Sequence, residues 1–158
     1  MKNSRKQFYR AVAGMVLLGL LVAANDVAAA GQGGTPAEAK AMLERAVAAV
    51  KADEAAALKA FTAGTDGFKD RDLYVFCGGP DGIMTAHGAK PALVGQSMRE
   101  ITDKAGMKLG EAIYAAAVAG KFNVVEYVWP RPGQTEAVPK ASYVTKVADQ
   151  VCGVGYYK

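Results

Sequence analysis

Leu73-Tyr-Val-Phe-Cys-Gly-Gly-Pro-Asp-Gly-Ile-Met-Thr-Ala-His87 is where the periodicity of this chain changes. Before it, apolar residues recur at helical spacing; from here on they alternate. Leu73, Val75 and Cys77 share one face of a predicted strand, with Tyr74 and Phe76 on the other, because successive side chains of a strand point to opposite sides. Gly78-Gly-Pro-Asp-Gly82 is a hairpin loop, since glycine and aspartate supply the backbone angles that tight turns need. Ile83 to His87 is the returning strand. Working downstream, Gly88 to Arg99 is a connecting loop with Ala92-Leu-Val94 as an apolar plug, and Met107 to Ala119 is a short helix ended by Gly120. Phe122 to Trp129 and Val138 to Val147 form a second hairpin around Pro130-Arg-Pro-Gly133, and Gln150 to Tyr157 is the last strand.

Working upstream, Thr35-Pro-Ala-Glu38 opens a helix: Thr35 is placed as N-cap, Pro36 at the first helical position, and Glu38 to close a capping box. Ala39, Met42, Leu43, Ala46, Val47, Val50, Ala57, Leu58 and Phe61 then form an apolar stripe, giving a long helix from Pro36 to Thr62 that Gly64 stops. The stripe weakens near Asp53. The order helix, two strands, helix, three strands, with short connections, predicts an α+β domain with an antiparallel sheet flanked by helices.

Residues 1–30 stand apart. Lys2, Arg5, Lys6 and Arg10 precede an apolar run from Ala11 to Ala24, and Ala28-Ala-Ala30 supplies small residues before Gly31. This is the pattern of a secretory signal cleaved near Ala30. The 14-residue run is shorter than the roughly 20 residues of a spanning helix, so an uncleaved anchor is the lesser reading. Four of the 19 basic and one of the 15 acidic residues lie in this segment, so residues 31–158 carry a net charge of only +1. That balance gives no electrostatic footprint for nucleic acid. The 128 residues suit one domain with one core. Export places Cys77 and Cys152 in an oxidising compartment, where they either bridge or remain two buried thiols.

Catalytic patterns are absent. His87 is the sole histidine, no nucleophile motif accompanies it, and no spacing of His, Cys or carboxylates suits a metal. The glycines at 78, 79 and 82 precede no helix, and Gly153-x-Gly155 is no dinucleotide fingerprint, so no cofactor is expected. Binding is better served. Tyr127 and Trp129 share a face, and the strand opposite carries Lys140 and Tyr143. A lysine and tyrosine hydroxyls hold a carboxylate while aromatic rings cover its apolar tail. Lys140 and Tyr143 are three apart, so sharing a site requires irregular backbone after Pro139 or a bulge.

Tyr74-Val-Phe76, Asp81-Gly82 with Ala86-His-Gly88, Leu93-Val-Gly95, Glu126-Tyr-Val-Trp-Pro130, Pro139-Lys-Ala-Ser-Tyr143 and Gly153-Val-Gly-Tyr-Tyr157 resemble, in this order, the periplasmic single Cache domains of type 2. The resemblance spans roughly Phe68 to Lys158. It implies a profilin/PAS-like fold with a five-stranded sheet in the order 2-1-5-4-3, flanked by the long N-terminal helix and a shorter one. First and last strands are then adjacent, which favours a Cys77–Cys152 disulfide. It also implies an extracytoplasmic, non-enzymatic sensor of small organic acids such as acetate, propionate, lactate or pyruvate. Tyr127, Trp129, Lys140 and Tyr143 become pocket residues, with His87 and Met84 nearby. Unlike a receptor, the chain shows no second membrane segment and no output domain, so a free-standing periplasmic form serving a membrane sensor or transporter is expected. The hairpin also lacks the family's more usual Tyr-Asp before its turn, which bears on the pocket rim. The alternative function is a protein-interaction module, docking or forming a homodimer through its N-terminal helix.

Overall fold

The computed structural model describes residues 33–158; the expected secretory signal lies outside the described residues. The helix predicted from Pro36 to Thr62 is two helices, α1 (Pro36–Ala52) and α2 (Glu54–Ala63). Thr35 and Glu38 form the expected capping box, and Arg71 bonds the Glu38 carboxylate at 2.6 Å, tying the helix start to the sheet. The break is Asp53, whose extended backbone ends α1 while its carboxylate accepts the Ala56 amide of α2. An aspartate so placed caps the next helix better than it continues the last one. Gly64, at φ 70°, closes α2 in the left-handed region that glycine tolerates.

Six strands follow: β1 (Lys69–Asp70), β2 (Leu73–Gly78), β3 (Met84–His87), β4 (Asn123–Pro130), β5 (Ala137–Val147) and β6 (Gln150–Tyr157). All pair antiparallel, in the order β1-β2-β6-β5-β4, with β3 also on β2. The two-residue β1 was not anticipated. The remaining five run β3-β2-β6-β5-β4, which is the 2-1-5-4-3 order. Because β2 and β6 are neighbours, Cys77 faces Cys152 across the ladder and the two form a disulfide spanning 75 residues. Helix α3 (Leu109–Ala116) is shorter than predicted. The backbone N–H and C=O of Met107 are already committed to Asp103, so the helix starts after it.

Strand alternation divides the interior in two. Leu73, Val75, Cys77, Cys152 and Val154 face α1 and α2, packing on Met42, Leu43, Ala46 and Phe61. Tyr74, Phe76, Val125, Val144 and Val151 face the other way, under α3 and the loops that contribute Met98, Leu109 and Ile113. The connection after β3 contains a 3-10 turn at Pro91–Leu93 within the expected loop. No described helix is long and apolar enough to cross a membrane.

Candidate functional site

The second face of the sheet forms one wall of a small chamber. Tyr74 and Phe76 come from β2, Met84 and His87 from β3, and Tyr127 and Trp129 from β4. Met98, Ile101, Leu109 and Ile113 close it from the loop and α3. Gly110 lets the start of α3 lie against the Met98 and Arg99 carbonyls, where a Cβ would sit 2.0 Å from the Met98 oxygen. The chamber leaves about 30 Å³ to the centres of water-sized molecules. That is room for roughly two or three waters. Beside it lies a larger cavity of about 450 Å³, sharing Tyr74, His87, Leu93 and Trp129 with the chamber.

Lys140 sits one side chain behind the chamber wall. Its register on β5 places it opposite Tyr127 of β4 and Tyr157 of β6. It is 1% exposed. Its ammonium donates to the Tyr74 hydroxyl at 2.8 Å and the Tyr157 hydroxyl at 3.3 Å, and lies 4.2 and 4.5 Å from the centres of those rings. Among the described residues no carboxylate lies within ion-pair distance of it. Burial in this apolar setting pulls its pKa down to about 7, against the Asp72 carboxylate, while Arg131 adds to the fall. Gly155 makes the space: a Cβ there would lie 2.3 Å from Lys140 Cε. Gly153 does the same for the Phe76 ring, so the bare face of the last strand admits neither ligand nor helix but two neighbouring side chains.

The other polar groups are fixed in turn. The Tyr127 hydroxyl shares a hydrogen bond with Ser142 at 2.8 Å, and burial pushes the Tyr127 phenol pKa up. The Tyr157 hydroxyl donates to the Pro130 carbonyl at 2.6 Å, with burial raising its pKa to about 12. Burial raises the Tyr74 phenol as well. His87 is pushed down to about 4 by burial, then by Lys140 and Lys90, so the ring is neutral at pH 7. Its Nδ1 accepts the Lys90 amide at 2.9 Å, which assigns its proton to Nε2.

Of the residues expected in a pocket, Tyr127, Trp129, His87 and Met84 line the chamber together. Lys140 adjoins it through Tyr74. Tyr143 is a correction. Strand β5 is regular through Lys140 and Tyr143, without the bulge a shared site would need. Three residues apart, they point to opposite faces, and Tyr143 packs on the helix-side core beside Tyr156, ring centres 5.8 Å apart. Tyr74 and Tyr157 were missed as the lysine's partners, although the alternation of β2 had already put Tyr74 on the face of Phe76. Asp103 was also missed. Its carboxylate accepts the amides of Ala105 and Met107 in its own turn and Val128 of β4, pinning the chamber loop to the sheet. Those hydrogen bonds hold its pKa below the usual value.

A fused-ring wall and a buried lysine within one side chain of a small chamber suit a small organic anion. Among the described residues no group of His, Cys, Asp and Glu is arranged to hold a metal ion. The family model for the Single Cache domain 2 matches residues 13–157. The chain belongs to that family. It is similar to the methyl-accepting chemotaxis protein McpP of Pseudomonas putida, 32% identical over 90 residues. That stretch covers 56% of this chain and 16% of the receptor's length. Among solved structures it resembles a methyl-accepting chemotaxis protein of Vibrio parahaemolyticus (TM-score 0.64, 26% identity, covering 77% of this chain and 86% of that one). It also resembles a periplasmic sensor domain of a chemotaxis protein (TM-score 0.58, 30% identity, 75% and 86% covered). A Cache chemosensory domain described for carboxylic acid recognition shares the fold (TM-score 0.54, 23% identity, 75% and 84% covered). The Cache assignment makes this a sensory domain rather than an enzyme.

Proposed function

We propose that residues 31–158 form one periplasmic ligand-binding domain that takes a short carboxylate in the chamber and signals its occupancy to a membrane partner. The observation that carries this reading is Lys140. A buried ammonium with no carboxylate partner is costly, and it becomes favourable once an anion lies within reach. In this reading Tyr74 passes the charge on: its hydroxyl accepts from Lys140 and donates to the ligand. His87 Nε2–H is a second donor, and Trp129, Tyr127 and Met84 cover the apolar end. The chamber's size favours two- to four-carbon acids such as acetate, propionate, lactate and pyruvate. Carboxylic acid recognition by a neighbour of this fold and the membership of relatives in chemotaxis receptors support the reading. A buried disulfide supports an extracytoplasmic site.

Calorimetry of the purified protein against acetate, propionate, lactate, pyruvate and the uncharged acetamide tests it. Binding confined to carboxylates and weakened at least tenfold in Lys140→Ala is expected. Equal binding of acetamide, or an affinity indifferent to Lys140, would remove the charge-recognition role.

A further inference from the structure

The chamber does not account for the larger cavity beside it. Lys90, Lys104 and Arg131 line that cavity, with Thr102 and Gln134 beside them and Trp129 as the shared wall; no carboxylate residue lines it. Arg131 is answered by Asp72. Lys90 and Lys104 have no carboxylate within ion-pair distance among the described residues. The acidic neighbour Asp103 turns both oxygens onto backbone amides.

The backbone that carries each lysine is fixed. The Lys90 amide donates to His87 Nδ1, a chamber residue. Lys104 lies in the turn that the Asp103 carboxylate organises through Ala105 and Met107. The connection between β3 and α3 thus brings two unpaired cations to one concave surface, which focuses positive potential beside the chamber.

We propose that the larger cavity is a second anion subsite, fitting the protein to ligands with two carboxylates: one held at the chamber, the other by Lys90 and Lys104. This rests on the carboxylate reading above and narrows its ligand class. Succinate and glutarate are compared by calorimetry with butyrate and valerate, the acids of equal chain length, on the wild type and on Lys90→Gln/Lys104→Gln. Both lysines are exposed, so the double variant keeps the fold, checked by its melting curve. In the wild type each diacid binds at least tenfold tighter than its partner acid. In the double variant that gap closes, because the diacid falls towards the monoacid. A gap absent from the wild type, or surviving in the double variant, overturns the second subsite while leaving the chamber reading intact. Failure of all four acids and of acetate to bind overturns both.

Discussion

Lys140→Met separates a lysine kept for structure from one kept for function, because the two roles give opposite signs at neutral pH. The side chain is 1% exposed and its amine bonds only to the hydroxyls of Tyr74 and Tyr157. Folding lowers its pKa from 10.5 to about 7. Between those values the unfolded chain holds more protons than the folded one, so stability rises with pH across that window. By this linkage the lysine costs roughly 4 kcal/mol of stability at pH 7 and under about 1 kcal/mol at pH 10. Methionine has similar length and no charge, so it escapes this term. It leaves the Tyr74 hydroxyl without its donor, at about 1–3 kcal/mol.

The difference is a net gain of about 1–3 kcal/mol at pH 7 and a small net loss at pH 10. With an unfolding entropy near 2.1 cal/mol/K per residue, each kcal/mol moves the midpoint of a domain this size by about 4 °C. Circular-dichroism melts should therefore show the variant about 4 to 10 °C above wild type at pH 7, and level or lower at pH 10. Acetate should no longer raise its midpoint. A variant that melts below wild type by the same margin at both pH values would refute the reasoning, since Lys140 would then be an ordinary stabilising donor.

Since an anion favours the ammonium form, acetate affinity should fall about tenfold between pH 6 and pH 8 around a pKa near 7. Calorimetry in buffers of different ionisation heat should then record proton uptake on binding; a flat profile would contradict it. Reduction of the Cys77–Cys152 bridge, which closes a 75-residue separation, should destabilise by about 4 kcal/mol in the chain-entropy model. That corresponds to roughly 15 °C in a reduced-versus-oxidised melt, and a drop of only a degree or two would argue against that model here. Asp103→Asn should loosen the chamber loop, speeding hydrogen exchange at Met107 and Val128 by tenfold or more, whereas unchanged protection would show the loop is held by packing alone. Tyr143→Phe should leave acetate affinity within twofold, because that ring lies on the helix side of the sheet; a large loss would place it functionally at the chamber.

The parts of the fold legible in the sequence are those set by local rules. Thr35 and Glu38 announce α1, Gly64 ends α2, and the alternation of Leu73–Cys77 assigns each residue to the correct face. Asp53 shows the limit: the weakening stripe was visible, but the same aspartate suits a solvated helix face or a cap, and only its backbone chooses the cap. Helix α3 is shorter than its predicted span because neither Met107-Lys108 before it nor Ala117-Val-Ala119 after it carries a stop signal. Its ends are set by bonds outside the helix, the Asp103 turn that engages Met107 at one end and Thr145 donating to the Val118 carbonyl beyond the other. The two-residue β1 is held by register against β2, with no periodicity of its own.

Lys140 is the more instructive case. In sequence it is a lysine after a proline on the strand opposite Tyr127 and Trp129, a candidate for binding that gives no local sign of its burial. Its burial depends on partners 66 and 17 residues away, Tyr74 and Tyr157, and on the absence of a side chain at Gly155. Each of those choices is locally unremarked, and each would be unnecessary if the position held leucine. A chain that sets aside a glycine and two tyrosines to bury an unpaired amine breaks the rule that buried charges are paired. Such violations concentrate at functional sites, where the missing partner is supplied from outside. In the proposed reading the exposed Lys90 and Lys104 extend the same logic outward, from a buried cation that awaits an anion to cations that meet it first in water. On that argument the chemistry of this domain is a gradient of unanswered positive charge. In the reading proposed above, a carboxylate is the group that answers it.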